Sequence, residues 1–145
     1  NEILAHTDPP DVDFVELHNY GSTSLNIAGV ILTDDPDTNK HVVAAGTIIP
    51  SQGFLVFTEA QLGFALSASG ETLYLKHPSG RSVIDVIRFE AQENGVATGR
   101  FPDGARFSSR LAAPTPGTAN APLRERSVVI NELMFDPISG DAVVL

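Results

Sequence analysis

Cysteine and tryptophan are absent from the 145 residues, and methionine occurs once. Disulfides and thiol chemistry are therefore excluded, although a cysteine-free chain fits any redox compartment. No Gly-x-Ser-x-Gly elbow or Gly-rich phosphate loop is present, so nothing marks a nucleophile or a nucleotide site. No apolar run approaches the ~20 residues that cross a bilayer as a helix. Basic residues are missing from positions 1–39, which hold eight acids: Glu2, Asp8, Asp11, Asp13, Glu16, Asp34, Asp35 and Asp37. From Lys76 to Arg126, eight basic residues face five acids. With a net charge of -9 and a pI near 4.6, the chain lacks the dense cationic face that displaces counterions from phosphates. The charge argues against nucleic acid as the main partner.

One stretch occurs twice. Asn1-Glu2-Ile3-Leu4 returns as Asn131-Glu132-Leu133-Met134, and Asp8-Pro9 returns as Asp136-Pro137. Ungapped matches follow at Asp13/Asp141, Val15/Val143 and Leu17/Leu145. The expectation is one repeat at 1–120, a linker at 121–126, and the first strands of a second copy at 127–145. No signal-peptide pattern stands at the start, and a chain that opens inside a repeat is expected to be a piece of something longer.

Between these ends the apolar spacing has period two and is broken by frequent turns, which predicts strands. Asp13–His18 places Val15 and Leu17 on one face and Glu16 and His18 on the other. Leu25–Leu32 reads as one strand bent at Gly29. Phe54-Leu55-Val56-Phe57 is apolar on both faces, which suits a central strand covered from two sides. Thr58–Leu62 is the single place for a helical turn. Glu71–Lys76 and Ser82–Phe89 flank Pro78-Ser79-Gly80 as a hairpin. Val96-Ala97 and Arg106-Phe107 suggest short strands within an otherwise irregular coil. Seven to nine short strands with almost no helix predict an all-β, antiparallel β-sandwich.

Six segments, taken in order, resemble the lamin tail domain family. They are Asn1-Glu2 with Asp13–Asn19, Leu25–Leu32, Ala45–Pro50 with Gly53–Val56, Phe64–Leu73, Gly99–Gly104, and Pro114–Asn120. The family usually has an aromatic residue after the glycine, where Val30 stands here. The resemblance implies an immunoglobulin-like sandwich, and with no nucleophile motif in the chain no catalytic activity is expected. It also implies a bacterial, tandemly repeated module of a large secreted or surface protein, hence an extracellular location.

The best metal candidate is the loop Asp34-Asp35-Pro36-Asp37-Thr38-Asn39. Its carboxylates and the Asn39 amide oxygen are hard donors of the kind calcium takes. Lys40 stands where an EF-hand turn has glycine, and the competing reading is a turn whose side chains cap their own backbone. His6, His18, His41 and His77 lack metal-type spacing. Glu16 and Glu71 have the chemistry of a glycosidase pair but read as solvated strand residues. Arg100 and Asp103 read as structural, with the guanidinium tying down carbonyls of a coil at Gly99–Asn120 that covers a sheet edge. The expected partners are other proteins or neighbouring repeats, with strand exchange through the apolar segment Ser127–Met134. The alternative is an accessory domain that takes calcium or carbohydrate for an attached enzyme, with Tyr20 and Tyr74 as the aromatic platforms.

Overall fold

The computed structural model describes residues 1–125 and Glu132. Among the described residues, eleven strands and one helical turn follow in order. They are β1 (Glu2–Leu4), β2 (Phe14–His18), β3 (Leu25–Asn26), β4 (Ile31–Thr33), β5 (His41–Val42), β6 (Ile48–Ile49) and β7 (Phe54–Thr58). After α1 (Glu59–Leu62) come β8 (Gly70–Lys76), β9 (Val83–Glu90), β10 (Thr98–Arg100) and β11 (Ser108–Arg110). A five-stranded sheet in the order β11-β10-β1-β2-β7 faces a four-stranded sheet, β5-β4-β8-β9, with β3-β6 as a two-stranded ribbon. Every pairing is antiparallel. The fold is an immunoglobulin-like β-sandwich. It has more than seven to nine strands because several are two- or three-residue pieces.

The core lies between the two sheets. Ile3, Val15 and Phe57 from the first sheet meet Leu32, Leu73 and Phe89 from the second. Alternation carries Leu4 and Phe14 to the outer face of the first sheet, where they form a second cluster with Ala97 and Leu111. The first sheet is thus covered on both faces. That accounts for the apolar run in β7, whose Leu55 packs on the main core and Val56 on the outer cluster. The run does not make β7 central, since it closes one end of the five-stranded sheet among the described residues. Two-sided burial sets this pattern, and the number of ladder partners does not.

Two expected strands differ in detail. Leu25–Leu32 breaks at Gly29, whose φ of 78° L side chains rarely adopt, and its halves join different sheets. The late strands β10 and β11 each start two residues beyond Val96 and Arg106, their expected starts. They extend the first sheet, and the turn Thr115–Gly117 after them lies on its outer face, while among the described residues only Pro122–Arg124 flank the edge strand β11. The hairpin of β8 and β9 stands where Pro78-Ser79-Gly80 places it, closed by the His77 N–H donating to the Ser82 carbonyl at 2.9 Å. Pro122 to Arg124, in the stretch expected to link two copies, run beside β11. The Arg124 N–H donates to the Arg110 carbonyl at 2.9 Å, and Leu123 bridges Leu111. Ser127–Met134, except Glu132, and the rest of the second copy lie outside the described residues.

Candidate functional site

The chemistry of this chain concentrates on the outer face of the first sheet. Glu2 of β1 and Glu16 of β2 are directly opposed in the ladder. Both are wholly buried, each with 0% of its surface exposed. Two like charges in a dry cross-strand pair are costly unless other groups compensate them. The compensation comes from about a hundred residues away. The Thr115 N–H donates to both Glu2 oxygens at 3.0 and 3.2 Å, and its hydroxyl donates at 3.1 Å. The Gly117 N–H donates to Glu16 at 2.7 Å, and the Asn1 amide donates to the other Glu16 oxygen at 3.1 Å. The turn Thr115–Gly117 is therefore clasped onto the sheet by two carboxylates. Gly117 sits at φ 82°, which turns its N–H at little conformational cost.

Around the pair, Asp103 accepts from the Asn1 side chain at 2.9 Å and from the Asn120 N–H at 3.0 Å. Asn120 in turn donates to the Arg100 carbonyl at 2.8 Å. Burial raises the Glu2 carboxyl to about 7, against the hydrogen bonds from Thr115, which act to lower it. Burial raises Glu16 too, opposed by the bonds from Asn1 and Gly117. Glu2 thus titrates near neutrality. Both carboxyls are sealed under the turn, out of reach of any substrate while it stays in place.

Glu16 is therefore no solvated strand residue; its place beside Glu2 under the turn buries it. Glu71 lies on the other sheet, where its carboxylate accepts from the Ser67 N–H at 2.9 Å, so the structure does not bring the two together. Arg100 does not tie down carbonyls through its guanidinium, which instead reaches Asp85 at 2.9 Å across the sandwich.

The acidic loop is organised by two ammonium groups. Lys76 at the end of β8 is only 5% exposed. Its Nζ donates to the Pro36 carbonyl at 2.8 Å, the Thr38 carbonyl at 3.1 Å and Asn39 Oδ1 at 3.0 Å. Three donors meet three acceptors, which is what a buried ammonium requires. Asp34 pairs with Lys40 at 2.6 Å, and Asp35 accepts from the Asp37 N–H at 2.9 Å. Asp34, Asp35, Asp37 and Asn39 are thus near one another, but two of them hold lysines and Asp35 caps the loop backbone. Among the described residues no group of three or more His, Cys, Asp or Glu converges as metal ligands. Lys76 escaped the sequence reading because it lies 37 residues from Asn39, beyond any local motif.

His18 stacks on Phe54 with ring centroids 4.4 Å apart. Tyr20 is 74% exposed and Phe107 is 77% exposed. No helix among the described residues is long and apolar enough to cross a membrane.

These placements agree with a comparison against known families, in which the Lamin Tail Domain matches residues 1–91. The chain belongs to the lamin tail domain family. No curated protein and no solved structure matches it. The matched span carries β1 to β9, both buried glutamates and the Lys76 loop. The turn that the glutamates clasp lies beyond it, so in this lamin tail domain the segment from 92 to 125 is joined to the matched span by side-chain chemistry as well as by strand pairing.

Proposed function

We propose that this lamin tail domain is a non-catalytic structural and protein-interaction module, repeated within a larger secreted or cell-surface protein. The observation that carries this reading is the use to which the buried polar side chains are put. Glu2, Glu16, Lys76 and Gln92 all bind the chain's own backbone or side chains, and the first two are closed over by a turn. A catalytic carboxylate pair needs open access to its substrate. A load-bearing or spacing module needs its segments tied together, and these are.

In this reading the repeat unit is 1–120, residues 121–126 lead to the next copy, and copies or other proteins meet along sheet edges and through Ser127–Met134. The exposed stripe Val83, Ile84 and Val86 on β9 offers apolar surface for such contacts. Light scattering over a range of concentrations tests the exchange. A mass that rises above the monomer supports it, and a fixed monomer refutes it.

The alternative is an accessory domain for calcium or carbohydrate. For calcium, Asp34 and Asn39 would have to exchange Lys40 and Lys76 for the cation. A thermal melt in millimolar calcium and in EDTA decides. Ligand at 100 times its Kd would stabilise the native state by about 2.7 kcal/mol. The structural reading expects no shift, and an upward shift reversed by EDTA would replace it with the accessory-domain reading.

A further inference from the structure

Just after β9, consecutive residues each fasten the chain to another part of the fold. The Gln92 side chain accepts from the Ala5 N–H at 2.7 Å and donates to the Ile3 carbonyl at 3.1 Å. Glu93 meets Arg110 at 2.5 Å and Arg124 at 2.8 Å. The Asn94 side-chain amide donates to the Asp8 carboxylate, and the Gly95 N–H donates to the His6 carbonyl at 2.8 Å. These last two bonds dock the turn at 93–96 on the loop between β1 and β2. The turn itself is closed by the Val96 N–H, which donates to the Glu93 carbonyl at 3.1 Å, and Gly95 holds its corner at φ 71°.

Asn94-Gly95 is the one Asn-Gly pair in the chain. An asparagine carboxamide in front of glycine is open to attack by its own backbone, because glycine has no Cβ to crowd the approach. The Gly95 nitrogen gives up its proton and bonds to Asn94 Cγ. The Cγ–Nδ2 bond breaks, and ammonia leaves carrying a proton in exchange. Water then adds to either carbonyl of the cyclic imide and opens it. One opening yields aspartate, and the other yields isoaspartate, whose backbone runs through the side-chain carbon. The net change takes up water and releases ammonia, with nothing oxidised or reduced. Asn94 and Gly95 are both exposed, so water and base reach them. Both reacting groups are nevertheless engaged, the nitrogen through its N–H on His6 and the carboxamide on Asp8. The reaction therefore waits until the turn lifts from the loop.

We propose that Asn94-Gly95 is a self-modification site restrained by the docked turn, and that its products cannot dock again. Aspartate at 94 sets a carboxylate against that of Asp8, so attraction becomes repulsion. Isoaspartate lengthens the backbone by a methylene and carries the Gly95 N–H away from the His6 carbonyl. Either product releases the loop between β1 and β2 from the turn, while Gln92 and Glu93 keep their own bonds. Deamidation is thus a one-way step that loosens one corner of the sandwich. It also makes a chain of net charge -9 more acidic. Water is the sole co-reactant.

The full chain is incubated at mildly alkaline pH, folded and in concentrated urea, with deamidation followed by ion exchange and peptide mapping of Asn94. The folded chain should react at least about tenfold more slowly, because reaction needs a local opening. Equal rates, or no reaction at Asn94 in urea, would overturn the proposal. D8A removes the acceptor and should speed the folded reaction about two- to tenfold, the effect of one lost hydrogen bond. D11A removes a like charge from the same loop, leaves the Asn94 bond in place, and should keep the natural rate. Equal acceleration in both variants, or in neither, would overturn the restraint by Asp8. N94D stands for the aspartate product and is read by amide hydrogen exchange at Gly95. Exchange there should be at least about fivefold faster than in the natural chain. Unchanged protection would overturn the release, and this arm holds even where D8A fails to fold.

Discussion

Exchange of Glu2 for Gln should flatten the pH dependence of folding. The Glu2 carboxyl is raised from 4.5 to about 7 in the folded chain, chiefly because it is buried. In the unfolded chain it returns to the lower value, so between these limits the native state holds a proton that the unfolded state has released. Stability from this group is fully present below about pH 4.5 and is lost as pH rises through about 7. A displacement of that size corresponds to roughly 3 kcal/mol, since each pKa unit is worth about 1.4 kcal/mol. For a domain of this size that is a fall in Tm of about 10 °C between pH 5 and pH 8.5. Glu16 is raised by the same cause and adds in the same direction. His18 acts oppositely, because burial lowers it and its contribution is lost as pH falls. The informative quantity is therefore the difference between the natural chain and E2Q, in urea unfolding followed by circular dichroism from pH 5 to 8.5. The natural chain should lose stability relative to E2Q across this range. Parallel profiles, or a natural chain that gains on E2Q as pH rises, would refute the buried-carboxylate account.

Lys76→Met keeps the bulk of the stem but strips donors from the Pro36 and Thr38 carbonyls and from Asn39. It should cost about 2–4 kcal/mol in denaturant unfolding, at the level of a broken buried charge network. A neutral result would mean the acidic loop does not depend on this ammonium. Gly99→Ala places a Cβ 2.7 Å from Leu111 Cδ1 and 2.9 Å from Asn120 Nδ2, and should cost about 1–3 kcal/mol by overpacking. Leu111→Ala, at a residue with no exposed surface, should cost about 2–5 kcal/mol. Its melt should stay a single transition if the segment after residue 91 folds with the sandwich. Two transitions would show that the segment is a separate unit.

The parts of the fold that were legible in the sequence are those set by neighbours in the chain. Pro78-Ser79-Gly80 defined the β8–β9 hairpin, and alternation in Phe14–His18 assigned its two faces correctly. Alternation reports which side a residue takes and not what lies over that side. Glu16 was placed opposite Val15 and Leu17 as it should be, yet its burial depends on a turn 101 residues later. Lys76 was likewise an ordinary strand-end residue until the fold brought the 34–39 loop around it. Arg100 was expected to serve its own coil and instead reaches Asp85 on the facing sheet.

One signal for the clasp was present all along. A polar Asn-Glu pair opens a strand whose next residues, Ile3 and Leu4, are buried, and the pair recurs with an apolar lead at 130–134. Glutamate fully buried in a β-ladder is expensive, so a glutamate opening a strand beside buried Ile3 and Leu4 implies a partner able to satisfy it. The Thr115-Pro116-Gly117 turn has the right donors: Pro116 offers no N–H, while the N–H groups on either side of it point to the two carboxylates. Spacing supplies the fit, because donors two residues apart in a turn meet acceptors on adjacent strands. The motifs at the two ends of the unit are therefore halves of one device that joins its last segment to its first two strands.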